Sequence, residues 1–301
     1  MIKKYNINNR FTWVNVTNPD AGELADLPRI IPVHPIIHQE LSTPSDRSKV
    51  ESYGSYLFLV YHLPLYNPDG RTSRKAEVDF VVSHDTLITV SYEPLEPLEQ
   101  FIHVIATRTE DEVTSTAHLV YHIIRLINEF SLRELRHIEG KVASVGSRIF
   151  AESSYTLLED VSYVRRDILN FSIIAAPQRV TLESLSETGT AFWGKEYRVY
   201  FTDLLGEFLK THYLLENLRA TVESYGDTVS QILDFKATQV MRRFTILGFL
   251  TFPLLLYSTI ALEPTVAGTF IRSASDFWMV FSIIAAFIAI LAIVLRKKNV
   301  L

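Results

Sequence analysis

The sequence predicts an α/β N-terminal cytoplasmic domain, a long helical stalk and two C-terminal transmembrane helices. Three observations carry that prediction. Two uncharged runs of 19 residues, Phe244 to Leu262 and Phe277 to Leu295, lie in the last sixty or so residues. Strand and helix signals alternate over residues 1–98 and then give way to helix signals alone. A long apolar repeat at steps of four and three residues leads into the first uncharged run.

The composition narrows the functional classes. The 301 residues suffice for one or two domains with proper cores. A net charge of −5 does not suit a nucleic-acid binder. With no cysteine, disulfides, zinc–thiolate centres and thiol catalysis are excluded. No nucleophile motif, phosphate loop or pair of catalytic carboxylates is present, which argues against an enzyme.

In chain order, FTWVNV (Phe11 to Val16) reads as a strand, and AGELADL as a helix with Asp20 near its cap. YLFLVYHLPLY (Tyr56 to Tyr66) is a strand closed by the turn signal Asn67-Pro68-Asp69-Gly70. AEVDFVVSHDTLITVSY supplies two more strands around Ser83-His84-Asp85. The clusters at 42–45 and 93–97 read as loops. Residues Glu99 to Glu152 and Ser154 to Leu185 read as helices, with Gly189 and Gly194 marking a turn, and a very long helix runs on from about Lys195. The expected divisions are 1–98 α/β domain, 99–194 helical part, 195–243 stalk, 244–262 first span, 263–276 short external loop, 277–295 second span and 296–301 basic tail.

Each uncharged run matches the ~20 residues that cross a hydrocarbon core of ~30 Å. Arg242 and Arg243 precede the first and Arg296, Lys297 and Lys298 follow the second, whereas the link between them holds only Arg272. The positive-inside rule then predicts a multi-pass protein of the inner or plasma membrane with both termini in the cytoplasm. The N-terminal MIKKYNINNR has no apolar signal-peptide core, in keeping with this.

Two stripes run along the long helix. Leu204, Phe208, Thr211, Leu215, Leu218, Val222, Tyr225, Val229 and Ile232 keep a 3.5-residue period for about four heptads and predict supercoiled packing against other helices. A second stripe is made of Asp227, Gln231, Asp234, Thr238, Met241, Thr245, Gly248, Phe252, Leu255 and Thr259. It is polar in its first half and mostly apolar or small in the membrane half. A solvated face has that look too, but continuation into the membrane points to a pore lining. Two spans cannot enclose a pore, so several copies are required, and symmetry turns each stripe residue into a ring. His118 and His122 are spaced i, i+4, as in a zinc pair, but with no Glu-rich motif nearby a surface or packing role explains them better.

These features, in order and at matching spacing, resemble the CorA family of divalent-cation transporters over nearly the whole chain. The resemblance rests on FTWVNV, on HPIIHQELSTPSDRSKVESYGSYLFLV (His34 to Val60), on YFTDLLGEFL (Tyr200 to Leu209), on VMRRFTILGFLTFP (Val240 to Pro253) and on the ending RKKNVL. It implies a funnel-shaped homopentamer in membrane lipid, with a divalent cation (Mg2+, or Zn2+, Co2+ or Ni2+) passing along an axis lined by the second stripe. It also implies a regulatory metal held between subunits, whose acidic positions fall on Glu40 and Asp203, while two further family positions fall on Gln39 and Ile37. Glu40 and Asp203 are equally readable as ordinary surface acids. The chain departs from the family at its hallmark: the Gly-Met-Asn positions fall on Leu262, Glu263 and Pro264, and the stalk-end asparagine on Thr238. Glu263 would then stand at the pore mouth or be a plain loop acid. The departure leaves a second reading open, a non-conducting scaffold or metal sensor that has lost its filter.

Overall fold

The computed structural model describes residues 1–7, 10–107, 113–152, 154–262 and 274–297. The chain divides into two compact units, Met1–Thr228 and Val229–Leu301.

The first unit is built on a six-stranded sheet of order β1-β2-β6-β5-β4-β3. Its strands are β1 (Ile2–Ile7), β2 (Phe11–Thr17), β3 (Lys49–Ser52), β4 (Leu57–Asn67), β5 (Thr72–Val82) and β6 (Thr86–Ser91). β2 and β6 pair in parallel, with Trp13 opposite Leu87, and the other pairs are antiparallel. Pro64 lies inside β4, where a missing N–H ordinarily breaks a ladder. It is tolerated because β3 pairs only with Leu57 to Val60, so β4 is an edge strand at Pro64.

Period-2 alternation gives the sheet two buried faces. Val14, Val16, Phe58, Val60, Val81, Ile88 and Val90 meet Leu24, Leu27, Ile31, Ile37 and Leu41 on one face. These come from helix α1 (Ala21–Asp26), the 3-10 turn Leu27–Arg29 and α2 (Pro35–Glu40). Asp20 caps α1 as expected, accepting from Glu23 N at 2.7 Å while Asp20 N donates back to Glu23 at 3.2 Å. The opposite face holds Trp13, Tyr61 and Phe80, all fully buried. Trp13 Nε1 donates to Thr89 Oγ1 at 2.9 Å, and its ring meets Phe101 edge-on at 5.0 Å.

That face is covered by α3 (Glu96–Thr107), α4 (Thr116–Glu152) and α5 (Tyr155–Trp193). Two expectations are corrected here. The stretch Glu99 to Glu152 is two helices, α3 starting earlier and α4 starting only at Thr116. Gly189 is no turn but sits inside α5, which runs on to Trp193. It is a glycine because a Cβ there would sit 2.8 Å from the Phe201 ring. The chain reverses at Gly194, whose φ of +123° favours glycine.

A second 3-10 turn, Lys195–Tyr197, leads into α6 (Arg198–Leu262). Leu204, Phe208, Thr211, Leu215, Leu218 and Val222 are all buried. α6 meets α4 where Asn128 Nδ2 donates to the Leu204 carbonyl at 3.4 Å, and where Gly146 lies so close to Tyr225 that a Cβ would sit 2.6 Å from its hydroxyl.

The second unit holds the later part of α6 and α7 (Ala274–Lys297). Both contain a stretch long and apolar enough to cross a membrane. Tyr257 on α6 stacks on Phe277 of α7 at 5.4 Å and donates its hydroxyl proton to the Phe277 carbonyl at 3.1 Å. Pro253 stands within α6 and leaves the Phe249 carbonyl without its intrahelical donor.

Candidate functional site

Every member of the second stripe, from Asp227 and Gln231 through Asp234, Thr238, Met241, Thr245, Gly248, Phe252 and Leu255 to Thr259, is exposed on the single chain. Met241, Phe252 and Leu255 leave 68%, 59% and 67% of their surface uncovered, far above the core residues one face away. A row of large apolar side chains left open in this way calls for lipid or another protein surface.

The hydroxyls of the stripe have a defined polarity. Thr245 Oγ1 donates to the Met241 carbonyl at 3.0 Å, and Thr259 Oγ1 to the Leu255 carbonyl at 2.9 Å. Each hydroxyl spends its one proton on its own helix, so its lone pairs are what it presents outward. Oxygen lone pairs suit a cation or the hydrogens of a hydrated cation. Gly248 has nothing within 4 Å of where a Cβ would stand, so the stripe is narrowest in side-chain bulk there. Glu263, with Leu262's side chain and Pro264, lies outside the described residues.

Glu40 ends α2 and is held by Lys49, whose Nζ donates to Oε1 at 3.0 Å and stands 2.8 Å from Oε2. Lys49 also reaches Glu51 at 3.2 Å. Burial works against the Lys49 charge, but the two carboxylates outweigh it and its pKa is raised. Asp203, near the start of α6, is exposed and accepts from Tyr121 Oη at 2.8 Å. Burial, then the hydrogen bond to Asp203, pushes the Tyr121 phenol up. α2 covers one face of the sheet and α6 lies against α4, which covers the other. Within one chain the two carboxylates are therefore on opposite sides of the sheet, and a metal bridging them would have to lie between copies.

Among the described residues, no group of three or more His, Asp or Glu is arranged to hold a metal. His118 is nearly buried, accepts from Thr114 N at 3.2 Å and packs edge-on against Tyr197 and Tyr200. Burial lowers its pKa.

Sequence reasoning missed a buried polar group on the sheet: His62, Glu77 and Asp79, beneath the segment 41–48. The available signal was AEVDFVV, in which two acids share one strand face and every other residue of the run is apolar.

An α/β head domain continuing through one long helix, with two helices long and apolar enough to cross a membrane, defines a class of membrane proteins. Comparison places the chain within it. The family model described as CorA-like Mg2+ transporter protein matches residues 8–297, and the chain belongs to that family. The cobalt/magnesium transport protein CorA of Thermotoga maritima is 19% identical over 258 residues, 81% of this chain and 70% of that protein. The complete structure of the CorA magnesium transporter from Methanocaldococcus jannaschii superposes with a TM-score of 0.79 at 19% identity, covering 96% of this chain and 90% of that one. The full-length CmaX protein gives 0.73 at 15% identity, covering 95% and 88%. These likenesses establish the fold of head domain, stalk and apolar helices.

Proposed function

We propose that this member of the CorA-like transporter family works as a homopentamer, a funnel in the membrane that conducts a divalent cation along its axis. The observation that carries the reading is the uninterrupted 4-3 stripe from Asp227 to Thr259, exposed at every position on the single chain. Fivefold repetition makes each member a ring. Asp227 and Asp234 concentrate cations at the inner end. Met241, Phe252 and Leu255 form apolar constrictions that close by dewetting, and Thr245 and Thr259 offer oxygen lone pairs between them. With both termini in the cytoplasm, Glu263 stands at the outer mouth, where a ring of carboxylates attracts cations in place of the missing Gly-Met-Asn. A regulatory divalent ion sits between Glu40 of one copy and Asp203 of the next, displacing Lys49 and Tyr121 from them.

The cobalt and magnesium named for the Thermotoga relative make those two ions the first to test. Protein reconstituted in liposomes is expected to take up Mg2+, Co2+, Zn2+ or Ni2+, with Glu263→Gln slowing entry. Absence of flux for all four, with a closed Phe252 ring in the assembled oligomer, would replace this reading with a non-conducting scaffold or sensor.

A further inference from the structure

On the α2 side of the sheet, beyond the apolar core, β5 presents Lys75, Glu77 and Asp79 to the segment 41–48. Lys75 Nζ donates to the Ser45 carbonyl at 2.7 Å. Both Glu77 oxygens accept from Ser45 N at 2.9 Å. The next member, Asp79, is completely buried; its Oδ2 accepts from Tyr92 Oη at 2.8 Å, and that hydroxyl also reaches the Thr43 carbonyl at 3.2 Å. Directly across from Glu77 on β4 stands His62, its Nε2 3.0 Å from Glu77 Oε2. These side chains fasten the middle of the segment to the sheet, while at its ends Leu41 is buried in the apolar core and Ser48 Oγ accepts from Thr181 Oγ1 at 2.9 Å.

One atom in this arrangement lacks a donor. Asp79 Oδ1 is buried without a hydrogen-bond partner. On the same face of β5, two residues along, stands another carboxylate, Glu77, whose charge acts on Asp79. Two ionised carboxylates side by side in a dry site repel strongly, and an unsatisfied charged oxygen costs more still. One proton removes both penalties: it neutralises Asp79 and turns its orphan oxygen into a donor.

We propose that Asp79 carries a proton, donated from Oδ1 to Glu77, and that this proton fastens segment 41–48 over the sheet, so that its loss to solvent releases the segment. The charged and titratable groups facing the pair are His62 from β4, Tyr92 at the end of β6, Lys75 with Asp46 at the outer edge, and Lys49 with Glu40 and Glu51 from the β3 side. α5 brings neutral Gln178 to His62 N of β4 and neutral Thr181 to Ser48 of the segment. Burial first, then the Glu77 charge, raises the Asp79 carboxyl well above its ordinary range, against the lowering effect of Tyr92. A carboxyl raised in the folded state gives stability that is full below its unfolded value of 3.8 and is lost as pH rises through the folded one.

The test is hydrogen exchange on the full-length protein in lipid nanodiscs, corrected for intrinsic exchange. Opening of amides 43–48 should rise about tenfold per pH unit between the ordinary and the raised carboxyl range, while Asp79→Asn flattens that slope and keeps the segment closed. Infrared spectra of the wild type should carry a protonated-carboxyl band that disappears as the segment opens, a readout that needs no variant. A pH-independent opening, an unchanged slope in Asp79→Asn, or the absence of that band would overturn the proposal.

Discussion

Along α6 a 4-3 spacing occurs twice, on two faces, with opposite results. Between Leu204 and Val222 it buries its residues against the chain's own helices, and Leu204 and Leu215 are 0% and 1% exposed. Between Asp227 and Thr259 it buries none of them. The periodicity is the same, so period alone does not say what a face will meet. The partner is decided by what stands opposite: from Leu204 to Val222 α6 packs against helices of its own unit, whereas the residues of the second stripe are exposed on the single chain.

Substitutions can break that contrast. Leu215→Ala leaves a cavity and should cost about 2–5 kcal/mol in denaturant unfolding followed by circular dichroism. Leu255→Ala should leave that stability unchanged, yet alter ion flux in liposomes by widening an apolar ring. Equal effects of the two on stability would sink the distinction between the faces. Asp167→Ala is next in size. This buried carboxylate accepts from Ser73 N at 2.8 Å and Ser73 Oγ at 2.9 Å, and pairs with Lys141 at 2.8 Å. Its loss strands a buried N–H and should cost about 2–3 kcal/mol, discounted because Lys141 keeps access to water. Asp20→Ala should cost about 1 kcal/mol through the lost cap of α1. Glu223→Ala removes an exposed pair with Arg219 and should cost no more than about 0.5 kcal/mol. A large effect there would mean that this outer face of α6 is covered in the assembled protein.

β2, β4, β5, β6, the Asp20 cap, the buried stripe and the two apolar spans were legible, since each has a periodic or capping signal of its own. β1 and β3 were not: IKKYNI and KVES are short and charged, and they become strands because β2 and β4 supply their hydrogen bonds. The separation of α3 from α4 escaped notice because no glycine or proline marks it. Of the functional candidates, the stripe was legible as a pattern, and the opposite placement of Glu40 and Asp203 was not, since it depends on which helix covers which face. The Glu77–Asp79 pair was the least legible. Acids in a strand ordinarily face water, and only the segment 41–48 folded over them makes them interior.

The parallel pairing of β2 with β6 bears on the order of events during synthesis. It joins Trp13 to Leu87, so β1 and β2 must wait for β6 before the sheet can close. β6 ends at Ser91, whereas the first apolar run begins only at Phe244. Domains fold as units while the chain is still being made, at roughly 5–20 residues per second. All six strands therefore leave the ribosome several seconds before the first of the two apolar runs, which gives the head domain time to close before those runs reach lipid.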